Sequence, residues 1–214
     1  MGKQKVLVVA PHIDDDILGC GGSMIKHVQA GNTVYTLYVS SGGTSSVREK
    51  EAQDASEFCG IQDYFFLREK SRPIRYSQEL LEKIVTVLSE VLPDYLYVPH
   101  NNETDIDHKN TCEILSEARW LYEEETNHKT KAVLYYEVWT PLSEFNYIED
   151  ITGVMDKKIA CMEKFSSQLA VRNYIEAVIG LNKYRGNMTG NCDYAEVFKI
   201  KRIQDIDMFG RSKR

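Results

Sequence analysis

The sequence predicts an α/β fold of the Rossmann-like type, in which helices flank a mostly parallel sheet. Apolar runs of strand length alternate with longer segments of helical periodicity, a pattern typical of parallel βαβ units. Two of the strand-length runs also end abruptly in histidine and carboxylate residues, which indicates chemistry at the carboxyl edge of the sheet. The 214 residues are 43% hydrophobic, enough for a sizeable core, and the length suits a single domain over residues 1–214.

Segments with strand-like and helix-like hydrophobic periodicity alternate along the first two thirds of the chain and define its predicted elements. In chain order, the predicted elements are strand 5–10, helix 19–31, strand 33–39, helix 48–59, strand 64–67, helix 78–91, strand 95–98, a helix over about 109–122 and strand 132–138. Gly31 and Gly60 are expected to end the first two helices, and Pro93 marks the end of the third. Residues 40–46 are rich in Ser and Gly and predict a mobile loop.

The final third has a weaker pattern. Residues 156–165 and 172–184 have helical character, whereas residues 194–201 alternate like a strand. No repeat, low-complexity tract or linker interrupts the chain, so this part is expected to belong to the same domain.

Composition excludes several classes of protein. The net charge is −6 and the basic residues are scattered, so we expect no nucleic-acid partner. No window approaches the ~20 apolar residues of a membrane span. The first residues lack the pattern of a secretory signal, which favours a cytoplasmic location.

The cysteines are odd in number, lie far apart and form no C-x-x-C pair. They are Cys20, Cys59, Cys112, Cys161 and Cys192. This usage predicts reduced, mostly buried thiols, as in a cytoplasmic protein.

The end of the first strand carries the strongest functional signal. His12 is followed by Asp14, Asp15 and Asp16, and three adjacent carboxylates repel one another unless a cation or strong hydrogen bonds offset the repulsion. A single Asp here could simply cap the following helix, as Asp16 would. Capping does not explain three carboxylates behind a histidine, so we expect a divalent metal.

A second strand, predicted to end at residue 98, is followed by a similar set of histidine and carboxylate residues that includes His100 and His108. In a parallel sheet both strand ends open on the same edge. His12, Asp15 and His108 then form a three-ligand shell that suits zinc and leaves a fourth position for water. Asp14 is placed to take a proton from that water, which predicts a hydrolase.

Two motifs resemble those of the PIG-L, or LmbE-like, family of zinc-dependent N-deacetylases. The first is Pro11-His12-Ile13-Asp14-Asp15-Asp16 and the second ends in Asp107-His108. Shorter matches are Leu18-Gly19-Cys20-Gly21-Gly22, Arg48 with Glu51, and Tyr194-Ala195-Glu196-Val197-Phe198. The resemblance implies that His12, Asp15 and His108 bind zinc and that Asp14 is the general base.

The chain departs from the family pattern at three positions. Ile13 replaces the usual Pro, and Asp16 replaces the usual Glu. Because Asp has a shorter side chain than Glu, the contact of residue 16 with a metal ligand or with the start of the helix must be repositioned. Many relatives have a first histidine in a His-x-x-His motif that helps to stabilise the oxyanion, and Asp105 stands there instead. A carboxylate cannot do this unless it is protonated, which makes His100 a candidate for the missing cation.

Other residues have a structural and a functional interpretation. Arg48 could hold a sugar hydroxyl or a phosphate of the substrate, or it could pair with Glu51 one helical turn on. The aromatic residues are expected to pack rather than to bind sugar, with Tyr136 and Trp139, near the end of the fifth strand, as exceptions.

The resemblance implies removal of an acetyl group from a small N-acetylglucosamine-type conjugate, with a metal-bound water as nucleophile. Zinc is the expected cofactor, although a His-His-Asp shell also accepts other divalent ions. The alternatives are an amidase for a larger acyl or thiol conjugate and a metal-binding family member without turnover. A receiver-like signalling domain and a nucleotide-binding module built on Gly19, Gly21 and Gly22 are disfavoured. The sequence leaves a homo-oligomer open.

Overall fold

The computed structural model describes residues 2–43 and 45–203. Within this part, seven strands form one mixed sheet in the order β3-β2-β1-β4-β5-β7-β6. The strands are β1 (Lys5–His12), β2 (Thr33–Ser40), β3 (Asp63–Phe66), β4 (Tyr95–Pro99), β5 (Ala132–Tyr136), β6 (Tyr147–Asp150) and β7 (Ala195–Ile203). The first five strands pair in parallel, and β7 pairs antiparallel with β5 and β6. The predicted Rossmann-like, mostly parallel sheet is confirmed.

Helices cover both faces of this sheet. They are α1 (Asp15–Gln29), α2 (Ser45–Cys59), α3 (Gln78–Val91), α4 (Ile106–Thr126), α5 (Met155–Met162), α6 (Ser166–Leu169) and α7 (Tyr174–Arg185). A 3₁₀ turn at Thr152–Val154 precedes α5, and a π-helical turn at Gly186–Gly190 follows α7. Among the described residues, no helix is long and apolar enough to cross a membrane.

Alternation along β1 divides the core between the two faces of the sheet. Val6 and Val8 lie in the cluster that includes side chains of α1, α2 and α5. Leu7 and Val9 lie in the opposite cluster, which includes side chains of α3 and α4. A strand buried on both faces reads as a continuous apolar run, which is why β1 shows no polar residue between Lys5 and His12.

The strand order changes direction at β1, because β2 and β4 flank it on opposite sides. Open α/β sheets form a crevice outside the carboxyl ends of the strands at such a point. The residues that follow β1 and β4 therefore meet there.

Helix α1 is interrupted at Cys20, whose φ of −142° is not helical. The second part of α1 begins against a buried carboxylate, because Glu196 accepts the amide N–H groups of Gly22 and Ser23 at 2.8 Å each. Lys158 also donates to Glu196, at 2.7 Å. This buried ion pair connects α1, α5 and β7 and holds the helix that begins with the acidic residues.

Two glycines of α1 are required by close packing. A Cβ on Gly19 would lie 2.2 Å from the Tyr136 ring, and one on Gly22 would lie 2.6 Å from Ile151. Any side chain at either position would push α1 away from its neighbours, so these glycines set how closely the start of α1 packs against β5 and the chain after β6.

Several predicted elements differ from the structure. Helix α4 begins at Ile106 rather than near Lys109, so His108 is a helical residue. Helix α1 likewise begins at Asp15, before the predicted residue 19, and strand β6 was not predicted. The predicted loop over 40–46 is shorter, because α2 begins at Ser45, and Thr44 lies outside the described residues.

The prediction that all five cysteines are reduced was wrong. Cys59 of α2 and Cys161 of α5 form a disulfide, with a Cα–Cα distance of 6.6 Å. They are separated by 102 residues, so their spacing carries no signal of pairing. Reduced thiols therefore no longer support a cytoplasmic location. That location stays a prediction, as does the single domain over residues 1–214.

His27 shows how burial couples this fold to pH. Its Nδ1 accepts from Asn32 at 3.0 Å and its Nε2 donates to the Tyr97 hydroxyl at 2.9 Å, so the ring is held neutral. Burial, with a smaller effect of Lys26, lowers the pKa of His27 to about 3. In the unfolded chain the pKa of His27 is near 6.5. Below that pH, His27 takes up a proton in the unfolded chain but not in the folded chain, so the free energy of unfolding falls as the pH decreases.

We expect this group to lower the free energy of unfolding by about 2 kcal/mol between pH 7 and pH 5. Urea unfolding of the wild type and of His27→Gln at both values measures the effect. The wild type should lose more stability than the variant, whose remaining titratable groups are the same. Equal losses in the two proteins would contradict the assignment.

Candidate metal and catalytic site

The chain leaves β1 through a strained residue. Asp14 has a φ of 109°, a left-handed backbone conformation that residues other than glycine rarely adopt. Its side chain makes no capping hydrogen bond to α1. The strain is therefore not explained by helix capping, and we associate it with the position of the Asp14 carboxylate at the site.

His12, Asp15 and His108 come together as predicted. Asp15 Oδ2 lies 3.2 Å from His12 Nδ1 and 3.1 Å from His108 Nε2. One ligand atom from each of the three residues lies within 4.8 Å of the other two. Asp15 Oδ2 also accepts the backbone N–H of His12 at 2.9 Å, which fixes the turn.

Asp107 holds His12 from behind. His12 Nε2 donates to Asp107 Oδ2 at 2.9 Å, which directs Nδ1 towards Asp15. Backbone N–H groups of Arg72 and Ile74 also donate to the Asp107 carboxylate, at 2.9 and 2.7 Å. Burial would raise the pKa of Asp107, but these hydrogen bonds lower it. Asp107 thus orients the imidazole as an ionised carboxylate.

The charges in the cluster favour an ionised Asp15. Burial would raise the pKa of Asp15, but the charge of His108 and close polar contacts with both imidazoles hold it well below its usual range. Burial would likewise lower the pKa of His12, but its hydrogen bonds to Asp107 and Asp15 raise it to about 10. The cluster of His12, Asp15 and His108 therefore stabilises positive charge.

The residues present fit a divalent cation. His108 is fully buried, yet neither of its ring nitrogens makes a hydrogen bond within residues 2–43 and 45–203. Its Nε2 lies near Asp15 but is not aligned for a hydrogen bond, as expected for two ligands directed at a third atom. An unsatisfied buried nitrogen is costly, and a cation would satisfy Nε2. Two imidazoles and one carboxylate suit zinc, and other divalent ions also bind such a set.

Asp14 lies beside this cluster with Arg48 as its neighbour. Arg48 Nη2 donates to the carbonyl of Ile13 at 2.5 Å and lies 3.7 Å from Asp14 Oδ2. Burial and the charge of Asp15 raise the pKa of Asp14 well above the ordinary value, and Arg48 opposes them. A carboxylate with a raised pKa at a site is suited to proton transfer.

The alternative partner of Arg48 is excluded by the contacts of Glu51. Glu51 accepts instead from Ser167, through the backbone at 2.7 Å and the hydroxyl at 2.7 Å, and from the Ser166 hydroxyl at 3.0 Å. Glu51 thus holds α6 against α2, and Arg48 faces the site.

Asp16 points away from the histidines. The Tyr38 hydroxyl donates to Asp16 Oδ2 at 2.8 Å. Burial raises the pKa of Asp16 to about 6, although the Tyr38 hydrogen bond opposes this. Asp16 therefore connects the turn after β1 to β2 and is not part of the group formed by His12, Asp15 and His108.

His100 and Asp105 are not brought into the cluster. His100 Nε2 donates to the carbonyl of Thr140 at 2.7 Å, and its Nδ1 accepts from the backbone of Asn102 at 3.2 Å. Asp105 caps α4 by accepting the backbone N–H of Asp107 at 2.8 Å. Both side chains are committed to loop structure, so the suggestion that His100 supplies the missing cation is corrected.

Sequence reasoning missed a recess next to Asp14. Its wall comes mainly from α5, α6 and α7, which are distant in sequence from the motifs. The lining residues are Asp14, Leu18, Met162, Phe165, Gln168, Leu169 and Tyr174. Burial and the charge of Asp14 raise the pKa of Tyr174, so the tyrosine is within electrostatic reach of Asp14. Helical periodicity identifies such apolar residues only as core, and it gives no signal that they border a site.

Comparison with known proteins agrees with this geometry. Residues 7–119 match the PIG-L family, described as GlcNAc-PI de-N-acetylase. The chain belongs to the PIG-L family. The matched region contains His12, Asp14, Asp15 and His108, while α5, α6 and α7 lie beyond it.

Relatives share the fold over most of the chain. A diacetylchitobiose deacetylase from Thermococcus kodakarensis is 25% identical over 191 residues, covering 77% of this chain and 70% of the relative. The crystal structure of the conserved protein TT1542 from Thermus thermophilus has a TM-score of 0.87 at 25% identity, covering 98% of this chain and 100% of that one. GalB, a 4-carboxy-2-hydroxymuconate hydratase from Pseudomonas putida, has a TM-score of 0.81 at 22% identity, covering 95% and 98% of the two chains.

The contact between Asp107 and His12 predicts that Asp107 controls metal affinity. We expect Asp107→Asn to weaken zinc binding about 10- to 100-fold, because the charged hydrogen bond to His12 Nε2 is lost while the shape of the side chain is kept. Competition with a chromogenic chelator measures the affinity.

Asp105→Asn is the matched control, since asparagine caps a helix about as well as aspartate and the residue touches neither histidine. Its zinc affinity should equal that of the wild type. Unchanged affinity in Asp107→Asn would contradict the orienting role of Asp107.

Proposed function

We propose that this PIG-L family chain is a metal-dependent N-deacetylase that hydrolyses the acetamide of an N-acetylglucosamine-type conjugate. The observation that carries this proposal is the convergence of His12, Asp15 and His108, with a separate carboxylate, Asp14, beside them. The family description and the diacetylchitobiose deacetylase relative support the reaction and the substrate class.

His12 Nδ1, Asp15 Oδ2 and His108 Nε2 are the atoms proposed to hold the cation. Zinc is the ion that this donor set favours. When bound, such an ion polarises a carbonyl oxygen and makes a coordinated water more acidic. Asp107 keeps His12 in the tautomer that leaves Nδ1 free, and the ring of His108 is fully buried with its Nε2 3.1 Å from Asp15 Oδ2.

Asp14 is proposed to move the proton. It accepts a proton from the attacking water as the C–O bond forms, and it returns that proton to the amine nitrogen as the C–N bond breaks. The products are acetate and a free amine, so the reaction consumes one water. Arg48, 3.7 Å from Asp14 Oδ2, opposes the rise in the pKa of Asp14 that burial and Asp15 cause.

The proposed ligand is a small molecule. The acidic net charge and scattered basic residues disfavour nucleic acid, and the recess beside Asp14 has mostly apolar walls. The same fold occurs in a hydratase, so the fold alone does not select the reaction, and product analysis must do so.

The test is acetate release by the purified, zinc-loaded protein. We expect acetate from N,N′-diacetylchitobiose or N-acetylglucosamine, loss of the activity with a chelator, and recovery with zinc. A series with longer N-acyl groups distinguishes a deacetylase from an amidase for larger conjugates. Stoichiometric zinc without acetate or any other acid released would contradict the proposal.

Two variants separate metal binding from proton transfer. Asp14→Asn should lower kcat by about 10²- to 10⁴-fold while zinc content is unchanged, because the base is lost and the three ligands remain. His108→Ala should lose both zinc and activity. Elemental analysis, acetate release and thermal unfolding are measured on each. Wild-type kcat in Asp14→Asn would exclude Asp14 as the base.

A further inference from the structure

Trp139 stands on a rigid loop and contacts Tyr174, which lines the recess at Asp14. It follows β5 closely, and its side chain is 38% exposed. The backbone N–H groups of Val138, Trp139 and Thr140 donate to the buried carboxylate of Glu103 at 2.7, 2.9 and 2.9 Å. Three hydrogen bonds to one buried carboxylate fix the position of this loop, so the exposure of the indole does not reflect a loosely held segment.

The indole is also held from the side. The Tyr174 ring meets it edge-on, with ring centroids 5.7 Å apart and an interplanar angle of 63°. The guanidinium carbon of Arg172 lies 5.6 Å from the centre of the Trp139 ring. Both neighbours come from the segment at the start of α7, so Trp139 joins the β5 loop to the helices that line the recess.

A continuous wall connects Trp139 to the site of proton transfer. Tyr174 contacts the indole and also lines the recess to which Asp14 contributes. A molecule with its acetamide at Asp14 would reach the exposed indole if its ring extended past Tyr174. The structure provides an aromatic surface and a neighbouring cation there, which suits a ring with an apolar face and hydroxyl groups at its edge.

We propose that Trp139, supported by Tyr174 and Arg172, is the platform on which the pyranose ring of the substrate stacks. This inference rests on the proposed function, because it assigns the sugar-binding part of the same site. Trp139 would determine affinity for the sugar and take no part in proton transfer. A pyranose ring has an apolar C–H face that packs on an aromatic ring, and the large apolar area of an indole favours such contacts.

Fluorescence tests the platform without catalysis. The chain has two tryptophans, and Trp120 lies on α4 with 60% exposure. In a Trp120→Phe variant all indole emission comes from Trp139. Titration with chitobiose, the fully deacetylated dimer, should change that emission saturably, because the sugar displaces water from the indole. Absence of any change up to saturating sugar, judged by calorimetry on the same sample, would overturn the proposal.

Kinetics give an independent test. Trp139→Ala should raise KM for N,N′-diacetylchitobiose about tenfold, equivalent to about 1.4 kcal/mol, with little change in kcat. Trp139→Phe should recover most of the affinity, whereas Trp120→Ala should match the wild type. An unchanged KM in Trp139→Ala would overturn the platform, and so would a change of oligomeric state in that variant, since the indole would then cover a subunit interface.

The two proposals fail in different ways. If the wild type binds chitobiose through Trp139 but releases no acetate, the deacetylase assignment is wrong and the platform stands. If acetate is released and Trp139 does not respond to sugar, the platform is wrong and the deacetylase stands.

Discussion

Three adjacent carboxylates share one turn at the end of β1, and each has a different partner. Asp15 lies between two imidazoles, Asp14 lies 3.7 Å from Arg48, and Asp16 accepts the Tyr38 hydroxyl. Without this division, their mutual repulsion in a buried turn would oppose folding. The positive φ of Asp14 allows the division, because it turns the chain between the strand and the helix. The strain is therefore a cost of placing Asp14, the proposed base, next to Asp15, a proposed metal ligand.

The rest of the structure keeps this turn in place. The buried pair of Glu196 and Lys158 holds α1 at its interruption, and Gly19 lets the helix approach β5 closely. The Asp107 side chain, at the start of α4, accepts a hydrogen bond from His12, the last residue of β1. These supports come from distant parts of the chain, so the site depends on the complete sheet. Glu103 likewise holds the loop that follows β5.

The sequence was sufficient for the sheet and for grouping His12, Asp15 and His108, the proposed metal ligands, because both follow from local signals. A buried parallel strand shows as an apolar run, and His12 and Asp15 directly follow one. Contacts between segments far apart in sequence were not predictable. The Cys59–Cys161 disulfide, the recess wall and the partners of Glu51 depend on how α2 meets α5 and α6. His100 was misjudged because its position at a strand end does not show that Thr140 occupies its Nε2.

X-ray absorption at the metal edge of the purified wild-type protein tests the proposed metal centre. We expect His12, Asp15 and His108 to bind one divalent ion through two imidazole nitrogens and one carboxylate oxygen. The spectrum should then show one ion per chain, with scattering from two imidazoles and only nitrogen or oxygen neighbours. Sulfur neighbours, a single imidazole, or no stoichiometric ion after loading with zinc would contradict it.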